Sequence, residues 1–249
     1  MDLDEFLINR SPCIVADTVN TSWEIEEESM KLKWARKTRM QLLEEASSNE
    51  CVTGCNGEWL LCANKILVKK GISPVFFSTA MKELLLKGCG KNRNLLITGN
   101  ANCGKTFLLN PLTVIYDILC NPGTGSFTWV GVDKAECIFL NDFRRCSQLL
   151  PWDDLLLMLE GHVVHLPDIS LVGHTQICCT GKSPRIFIKN GVIDHVETDM
   201  MAARWLHTRL HHQIPQDQQR EIPQCAKCFS LLILFLGDFL SQEIECLPC

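Results

Sequence analysis

The sequence has no excess of positive charge and no long apolar run, and each absence limits what the protein can be. It contains 24 Lys and Arg residues against 29 Asp and Glu residues, a net charge of −5. Such a chain does not attract polyanions as a whole, so any contact with nucleic acid must come from a local surface. The longest apolar run, Phe229 to Leu236, is too short to span a bilayer. We therefore expect no membrane partner.

The amino terminus also lacks the basic start and apolar core of a secretory signal, since it reads Met1-Asp2-Leu3-Asp4-Glu5. The chain nevertheless contains 15 cysteines. Without a signal they indicate a reducing compartment, where cysteines serve as buried hydrophobes, metal ligands or thiols and not as a disulfide framework. At 249 residues with 46% hydrophobic content, the chain can form one large core or one domain with appendages.

What the sequence does contain is a complete phosphate-binding motif, G-x-x-x-x-G-K-T. A short apolar run ending at Thr98 precedes it and a helical stretch beginning at Phe107 follows it, the strand, loop and helix order that the motif requires. In such a loop, backbone N–H groups surround the phosphates of ATP, Lys105 reaches the outer phosphates and the Thr106 hydroxyl holds Mg²⁺. The predicted nucleotide-binding residues are Gly99, Asn100, Ala101, Asn102, Cys103, Gly104, Lys105 and Thr106.

Hydrophobic patterning predicts helices over residues 1–90, a region suited to oligomerisation. The first helix is expected from Thr21 to Ala46, with Thr21 and Glu24 placed as a capping box. Two more are expected from about Glu58 to Lys69 and from Pro74 to near Gly88.

From residue 91 to 210 short apolar runs alternate with helices, which predicts an α/β ATPase domain with a largely parallel sheet. Strands are expected at residues 94–98, 127–130, 136–140 and 176–180. Residues 211–249 form a cysteine-containing tail.

Five elements after the loop resemble, in order and spacing, the superfamily 3 helicases, which include papillomavirus and parvovirus replication proteins and relatives in cellular genomes and mobile elements. The elements are Phe127-x-Trp129, residues 135–142, Trp152 to Gly161, Thr180 and Arg204. The resemblance spans roughly residues 59–205. It implies an AAA+-like P-loop ATPase, derived from a mobile element, that assembles as a homo-oligomeric ring and moves along DNA in replication. It also implies a location in the nucleus or otherwise the cytoplasm.

The resemblance also assigns roles to single residues. Asp142, at the end of an apolar strand, would bind Mg²⁺ and activate water. Asn141 stands where many relatives have a second carboxylate, so we expect slow turnover. Lys182 occupies the position of a polar sensor for the γ-phosphate, although the family usually has Asn there. Arg204 occupies the position of an arginine finger that enters the neighbouring subunit's ATP site, the alternative being an ordinary surface arginine at the end of a helix.

The Leu159-Glu160-Gly161 element leads into the region that forms a DNA-contacting hairpin in relatives. In this chain that region offers His162, His165 and His174 but no Lys or Arg, so we expect weak attraction to phosphates, and a solvated loop is an equal alternative. Some relatives also carry a DNA-nicking domain with two histidines and a nucleophilic tyrosine. Because the one tyrosine is Tyr116 and no histidine precedes residue 162, we expect no nicking activity.

The tail contains two cysteine pairs in the spacing of a four-thiolate zinc site. Cys225-x2-Cys228 and Cys246-x2-Cys249 are separated by 17 residues. An alternative site joins the first pair to His211 and His212, and a third interpretation is that these thiols are simply buried.

Three functions are compatible with these observations. The first is an ATP- and Mg²⁺-dependent DNA helicase, and the second is a nucleotide-binding protein that has lost motor activity. The third is a P-loop kinase for a small molecule, against which the Leu159-Glu160-Gly161 element and Arg204 speak.

Overall fold

The computed structural model describes residues 11–35, 37–120, 129, 131–132, 135–141, 151–166, 169–171, 176–181, 199–200 and 202–243. The chain divides into two compact units, Met1–Gln41 and Leu42–Cys249. None of the described helices combines the length and apolar character needed to cross a bilayer.

The first unit is helical, and the capping box predicted within it is wrong. Helix α1 covers Pro12–Ala35, so Thr21 lies inside it and donates a 2.8 Å hydrogen bond to the carbonyl of Asp17. The capping box lies at Thr38, before helix α2 (Arg39–Ser48). The Thr38 N–H donates to Gln41 Oε1 at 2.8 Å, and the Gln41 N–H donates back to Thr38 Oγ1 at 3.3 Å. This reciprocal pair satisfies two N–H groups at the start of α2.

The second unit begins at Leu42, within α2, and continues with two helices that the sequence predicts correctly. Helix α3 covers Glu58–Lys69, and helix α4 covers Pro74–Lys87. Ser73 caps α4, since its hydroxyl accepts a hydrogen bond from the N–H of Phe76 at 3.4 Å, and Pro74 occupies the first turn.

A five-stranded parallel sheet follows, in the order β2-β3-β6-β1-β7. Its strands are β1 (Asn94–Gly99), β2 (Ile118–Cys120), β3 (Cys137–Leu140), β6 (Gln176–Gly181) and β7 (Trp205–Leu210). Every residue of β1 is buried, which fits its position between β6 and β7. The parallel sheet with intervening helices confirms the predicted α/β fold class.

Three helices and a hairpin lie between the strands of the sheet along the chain. Short helices α5 (Lys105–Leu109) and α6 (Leu112–Ile115) follow the phosphate-binding loop, and α7 covers Trp152–Glu160. Strands β4 (Val164–Leu166) and β5 (Ile169–Leu171) pair in antiparallel register.

The predicted strands at 94–98, 136–140 and 176–180 are confirmed as β1, β3 and β6. The strand predicted at 127–130 lies mainly outside the described residues. Strand β7 is not among the strands predicted from the sequence. Its polar residues, including His207 and Arg209, interrupt the apolar run that marks the more central strands.

The tail contains a helix that shares a core with the helices near the start of this unit. Helix α8 covers Ala226–Glu243 and packs against α4 and α3. The buried Ser78 hydroxyl of α4 donates a 2.7 Å hydrogen bond to the carbonyl of Leu232. The division into parts at residues 90 and 210 stays a prediction.

Candidate functional site

The phosphate-binding loop connects β1 to α5 with a backbone that requires glycine at both ends. Gly99 has φ 154°, and a Cβ built there would lie 2.4 Å from the carbonyl oxygen of Leu210 and 2.9 Å from Cys103 Sγ. Gly104 has φ 98°, and a Cβ there would lie 3.2 Å from Ile66. A side chain at Gly99 would therefore collide with backbone of the neighbouring strand β7, which explains the first fixed glycine of the motif.

Lys105 lies across the loop and holds its carbonyl groups. The side chain is 6% exposed, and its ammonium donates to the carbonyls of Gly99 at 3.1 Å and Asn100 at 2.8 Å. Cys103 Sγ lies 3.7 Å from the same nitrogen. This positive charge is thus fixed inside the loop, where the outer phosphates of a nucleotide would need it.

Thr106 and Asn141 connect the loop to strand β3. The Thr106 hydroxyl donates a 3.1 Å hydrogen bond to Asn141 Oδ1. Asn141 is the first residue after β3, so the residue that stands beside the proposed Mg²⁺ ligand is an amide and not a carboxylate. The hydroxyl that would hold Mg²⁺ in the predicted site is therefore hydrogen-bonded to this amide.

The carboxyl ends of β1, β6 and β3 lie along one edge of the sheet. Thr98 pairs with Gly181, and Leu140 pairs with Cys179. In open α/β sheets ligands bind at this edge. Asp142 and Lys182, which the sequence assigns to catalysis, lie outside the described residues, and their roles stay predictions.

The segment after β7 covers one side of the loop, and sequence reasoning missed it. The N–H of Ile214 donates a 2.8 Å hydrogen bond to the carbonyl of Asn102, and Ile214 also lies near Gly104. An open cavity of about 490 Å³ lies here. It is lined by Asn102, Gln213, Ile214, Pro215, Gln216 and Gln219. No spacing in the sequence connects this polar segment to the loop, since the contact arises from the order of strands in the sheet.

His207 contacts the strand that leads into the loop. Its Nε2 lies 2.6 Å from the hydroxyl of Thr98, the residue before Gly99. Burial, with a smaller contribution from the positive charge of Arg209, lowers the pKa of His207 below its usual value. The neutral imidazole is therefore the favoured form beside β1.

Arg204 lies immediately before β7, at the amino-terminal ends of the strands, whereas the loop lies at their carboxyl ends. Its guanidinium forms a 2.7 Å ion pair with Glu160 and donates to the carbonyls of Leu156 and Met200. The side chains of Arg204 and Glu160 are 11% and 18% exposed. Asn94 fixes the same corner by donating to the Arg204 carbonyl at 2.9 Å. Arg204 is therefore no ordinary surface residue, and its role as an arginine finger stays a prediction.

The region predicted as a DNA-contacting hairpin does contain an antiparallel hairpin, formed by β4 and β5. His162 precedes it, and its Nε2 lies 3.4 Å from Glu160 Oε2. His174 lies outside the described residues. Whether the hairpin contacts DNA stays a prediction.

Four cysteines from two distant parts of the chain meet at one point. Cys51 and Cys55 precede α3, and Cys225 and Cys228 lie at the start of α8. Their sulfur atoms all lie within 4.8 Å of one another, and Cys228 Sγ is 3.6 Å from both Cys51 Sγ and Cys55 Sγ. Two of the predicted zinc ligands, Cys225 and Cys228, therefore belong to this cluster, and the part played by the other two stays a prediction. Cys246 and Cys249 lie outside the described residues, and the described cluster does not include His211 or His212.

The environment of this cysteine cluster favours a thiolate. Burial raises the pKa of Cys225, but hydrogen bonds from the N–H groups of Cys228 and Val52 and from neighbouring thiols outweigh burial and bring it to about 7. Burial, together with the adjacent sulfur atoms, raises the pKa of Cys228. One thiol of the cluster therefore gives up its proton far more readily than its neighbour.

No protein-family model and no curated protein matches the chain. Solved structures do resemble it. The JCV helicase is 14% identical with a TM-score of 0.48, over 87% of this chain and 67% of that one. The apo C-terminal region (305-718) of NrS-1 is 11% identical with a TM-score of 0.47, over 73% of this chain and 46% of that one. A helicase is thus among the structures that the chain resembles.

Proposed function

We propose that the protein binds ATP with Mg²⁺ at residues 99–106 and hydrolyses it slowly, as an ATPase of the superfamily 3 type. The observation that supports this most directly is the contact between Thr106 and Asn141, which joins the phosphate-binding loop to the strand expected to supply the catalytic carboxylate. Lys105, buried against the loop carbonyls, adds the positive charge that the outer phosphates need.

In this proposal ATP replaces the intramolecular partners of Lys105. The ammonium gives up the Gly99 and Asn100 carbonyls for the more strongly charged phosphate oxygens. Thr106 binds Mg²⁺ through its hydroxyl, Asp142 orients the attacking water, and Lys182 contacts the γ-phosphate. The base lies towards the cavity lined by Asn102 and Gln216.

The test is to compare Lys105→Ala with Lys87→Ala. Lys87 is an exposed lysine paired with Glu83 on the same helix, so its loss removes a charge of the same kind away from the loop. We expect Lys105→Ala to lose ATP binding, measured by fluorescence of a labelled ATP analogue, while Lys87→Ala keeps it. Equal ATP affinity in both folded variants would refute the proposal.

We further propose that the active form is a homo-oligomeric ring that moves along DNA, with Arg204 entering the neighbouring ATP site. This role requires Arg204 to leave Glu160, the partner it has within its own chain. DNA-stimulated ATP hydrolysis together with a ring-sized species in light scattering would support this assignment. A monomer whose ATPase rate ignores DNA would refute it.

A second candidate is a nucleotide-binding protein without turnover, and Asn141 specifically favours it. Beside Thr106 the neutral amide offers one oxygen and no negative charge, so a bound Mg²⁺ would be held less firmly. This candidate predicts ATP binding without phosphate release, with or without DNA.

A further inference from the structure

The cysteine cluster has the geometry of a four-thiolate metal site. Zinc binds thiolates at about 2.3 Å, which places the sulfur atoms of a tetrahedral site about 3.8 Å apart. Two of the distances observed here are 3.6 Å, and none exceeds 4.8 Å. A disulfide would require a distance near 2.05 Å, and all four cysteines are free thiols.

The chain spacing and burial agree with this geometry. The pairs Cys51-x3-Cys55 and Cys225-x2-Cys228 each have the short spacing of zinc ligands. Cys55, Cys225 and Cys228 are at most 1% exposed. The Cys225 sulfur accepts hydrogen bonds from the N–H groups of Val52 and Cys228, which is how proteins orient and stabilise coordinating thiolates.

We propose that Cys51, Cys55, Cys225 and Cys228 bind one zinc ion that fixes the start of α8 to the start of α3. The cysteines of the two pairs are as far as 177 positions apart, so the metal would close a very long loop of chain. The proposal does not depend on ATP binding.

Trp59 connects the region of the proposed zinc site to the phosphate-binding loop. Trp59 is completely buried, and its ring stacks on Phe107 at 5.3 Å and meets the edge of Phe229 at 5.8 Å. Phe229 follows a zinc ligand, whereas Phe107 follows Thr106 in the loop. By joining the start of α8 to the start of α3, the metal would also help to hold Trp59 between Phe229 and Phe107.

The first experiment measures metal in the full chain purified without chelator. We expect about one zinc ion per chain by elemental analysis. Replacement by cobalt(II) should give the visible absorption of a tetrahedral thiolate site. Protein without metal, or a peptide map showing a disulfide between two of the four cysteines in protein prepared under reducing conditions, would overturn the proposal.

Paired substitutions identify the ligands. Cys51→Ser with Cys55→Ser, and separately Cys225→Ser with Cys228→Ser, should abolish stoichiometric zinc. Cys246→Ser with Cys249→Ser, and Cys62→Ser alone, should leave it unchanged. Zinc that survives loss of Cys51 and Cys55 but disappears with Cys246 and Cys249 would overturn the assignment in favour of the two tail pairs.

A measurement on the unaltered chain keeps the test valid even where a variant fails to fold. Alkylation followed by peptide mapping should show that zinc protects the four proposed ligands and that chelation exposes them, while the exposed Cys13 reacts in both states. Equal reactivity of the four thiols with and without zinc would overturn the proposal. The same protection is expected in Lys105→Ala, which separates the metal site from ATP binding.

Discussion

The hydroxyl of Thr106 donates a 3.1 Å hydrogen bond to the side-chain carbonyl of Asn141. Thr106 lies in the first turn of α5, after the phosphate-binding loop, and Asn141 directly follows β3. In P-loop enzymes these two motifs hold Mg²⁺. If Mg²⁺ binds here as proposed, an amide at this point supplies one negative charge fewer than a carboxylate would. In the proposed ATPase, the rate of hydrolysis is the property most sensitive to that difference.

Asn141→Asp should raise Mg²⁺-dependent ATP turnover, because a carboxylate of the same shape restores the missing charge beside Thr106. An increase of roughly 10–100-fold is expected, the usual effect of groups that tune a metal site. Initial rates of phosphate release at saturating ATP measure it. Asn141→Ala is the matched control, and it should not accelerate hydrolysis. An aspartate variant no faster than the parent would mean that Asn141 does not limit turnover.

Much of the architecture could be predicted because it depends on local signals. The G-x-x-x-x-G-K-T motif locates the loop, and Ser73-Pro74 locates the start of α4. The contacts that complete the site are not local. The contacts of Cys51 with Cys228 and of Ile214 with Asn102 depend on how the helices and strands are arranged in space. The sequence predicts Cys246 and Cys249 as the partners of Cys225 and Cys228 because they are close in the chain. The partners that the structure describes, Cys51 and Cys55, lie far earlier.

Gly99→Ala should destabilise the protein and abolish ATP binding. Its Cβ would lie 2.4 Å from the Leu210 carbonyl, so strand β7 or the loop must move. Overpacking of this kind costs roughly 1–3 kcal/mol, to which the φ of 154° adds the strain of a backbone conformation that L side chains rarely adopt. Gly71→Ala is the control, since Gly71 has φ 70° but nothing within 4 Å of a built Cβ.

The Gly71→Ala variant should therefore show the backbone cost alone, about 1–2 kcal/mol, and bind ATP normally. Urea unfolding and ATP titration measure both effects. Comparable losses in the two variants would mean that the approach of Gly99 to Leu210 has no energetic importance.

The stability of the protein should fall as the pH decreases below about 6.5, the ordinary pKa of histidine. Burial and Arg209 lower the pKa of His207 in the folded chain, so between the two pKa values the unfolded chain binds more protons. The free energy of unfolding therefore increases with pH across this window and decreases as the solution is acidified. Urea unfolding at about pH 7.5 and about pH 5.5 measures the difference.

His207→Gln should reduce this pH dependence, because glutamine can still hydrogen-bond to Thr98 but does not titrate. His211→Gln, in which an exposed histidine is replaced, is the matched control and should behave like the parent chain. An unchanged pH dependence in the His207 variant would assign the effect to other groups.

The ion pair between Arg204 and Glu160 allows a structural role of Arg204 to be separated from a catalytic one. The two side chains are largely buried and 2.7 Å apart, so removing either should destabilise the chain. A double-mutant cycle with Arg204→Ala and Glu160→Gln should give a coupling energy of roughly 0.5–3 kcal/mol. Thermal unfolding of the four proteins measures it. No coupling would mean that this ion pair does not contribute to the fold.

The rate of ATP turnover should also distinguish Arg204→Ala from Glu160→Gln. If Arg204 acts as a finger in the neighbouring site, Arg204→Ala loses roughly 10³–10⁵-fold in turnover, whereas Glu160→Gln, which removes the ion pair and keeps the guanidinium, retains most of it. Mixing Arg204→Ala with Lys105→Ala chains should then restore activity at sites where an intact Arg204 faces an intact Lys105. Equal losses in the Arg204 and Glu160 variants, and no recovery in a mixture that assembles, would assign Arg204 to the fold alone, because a finger needs a free guanidinium and a neighbour.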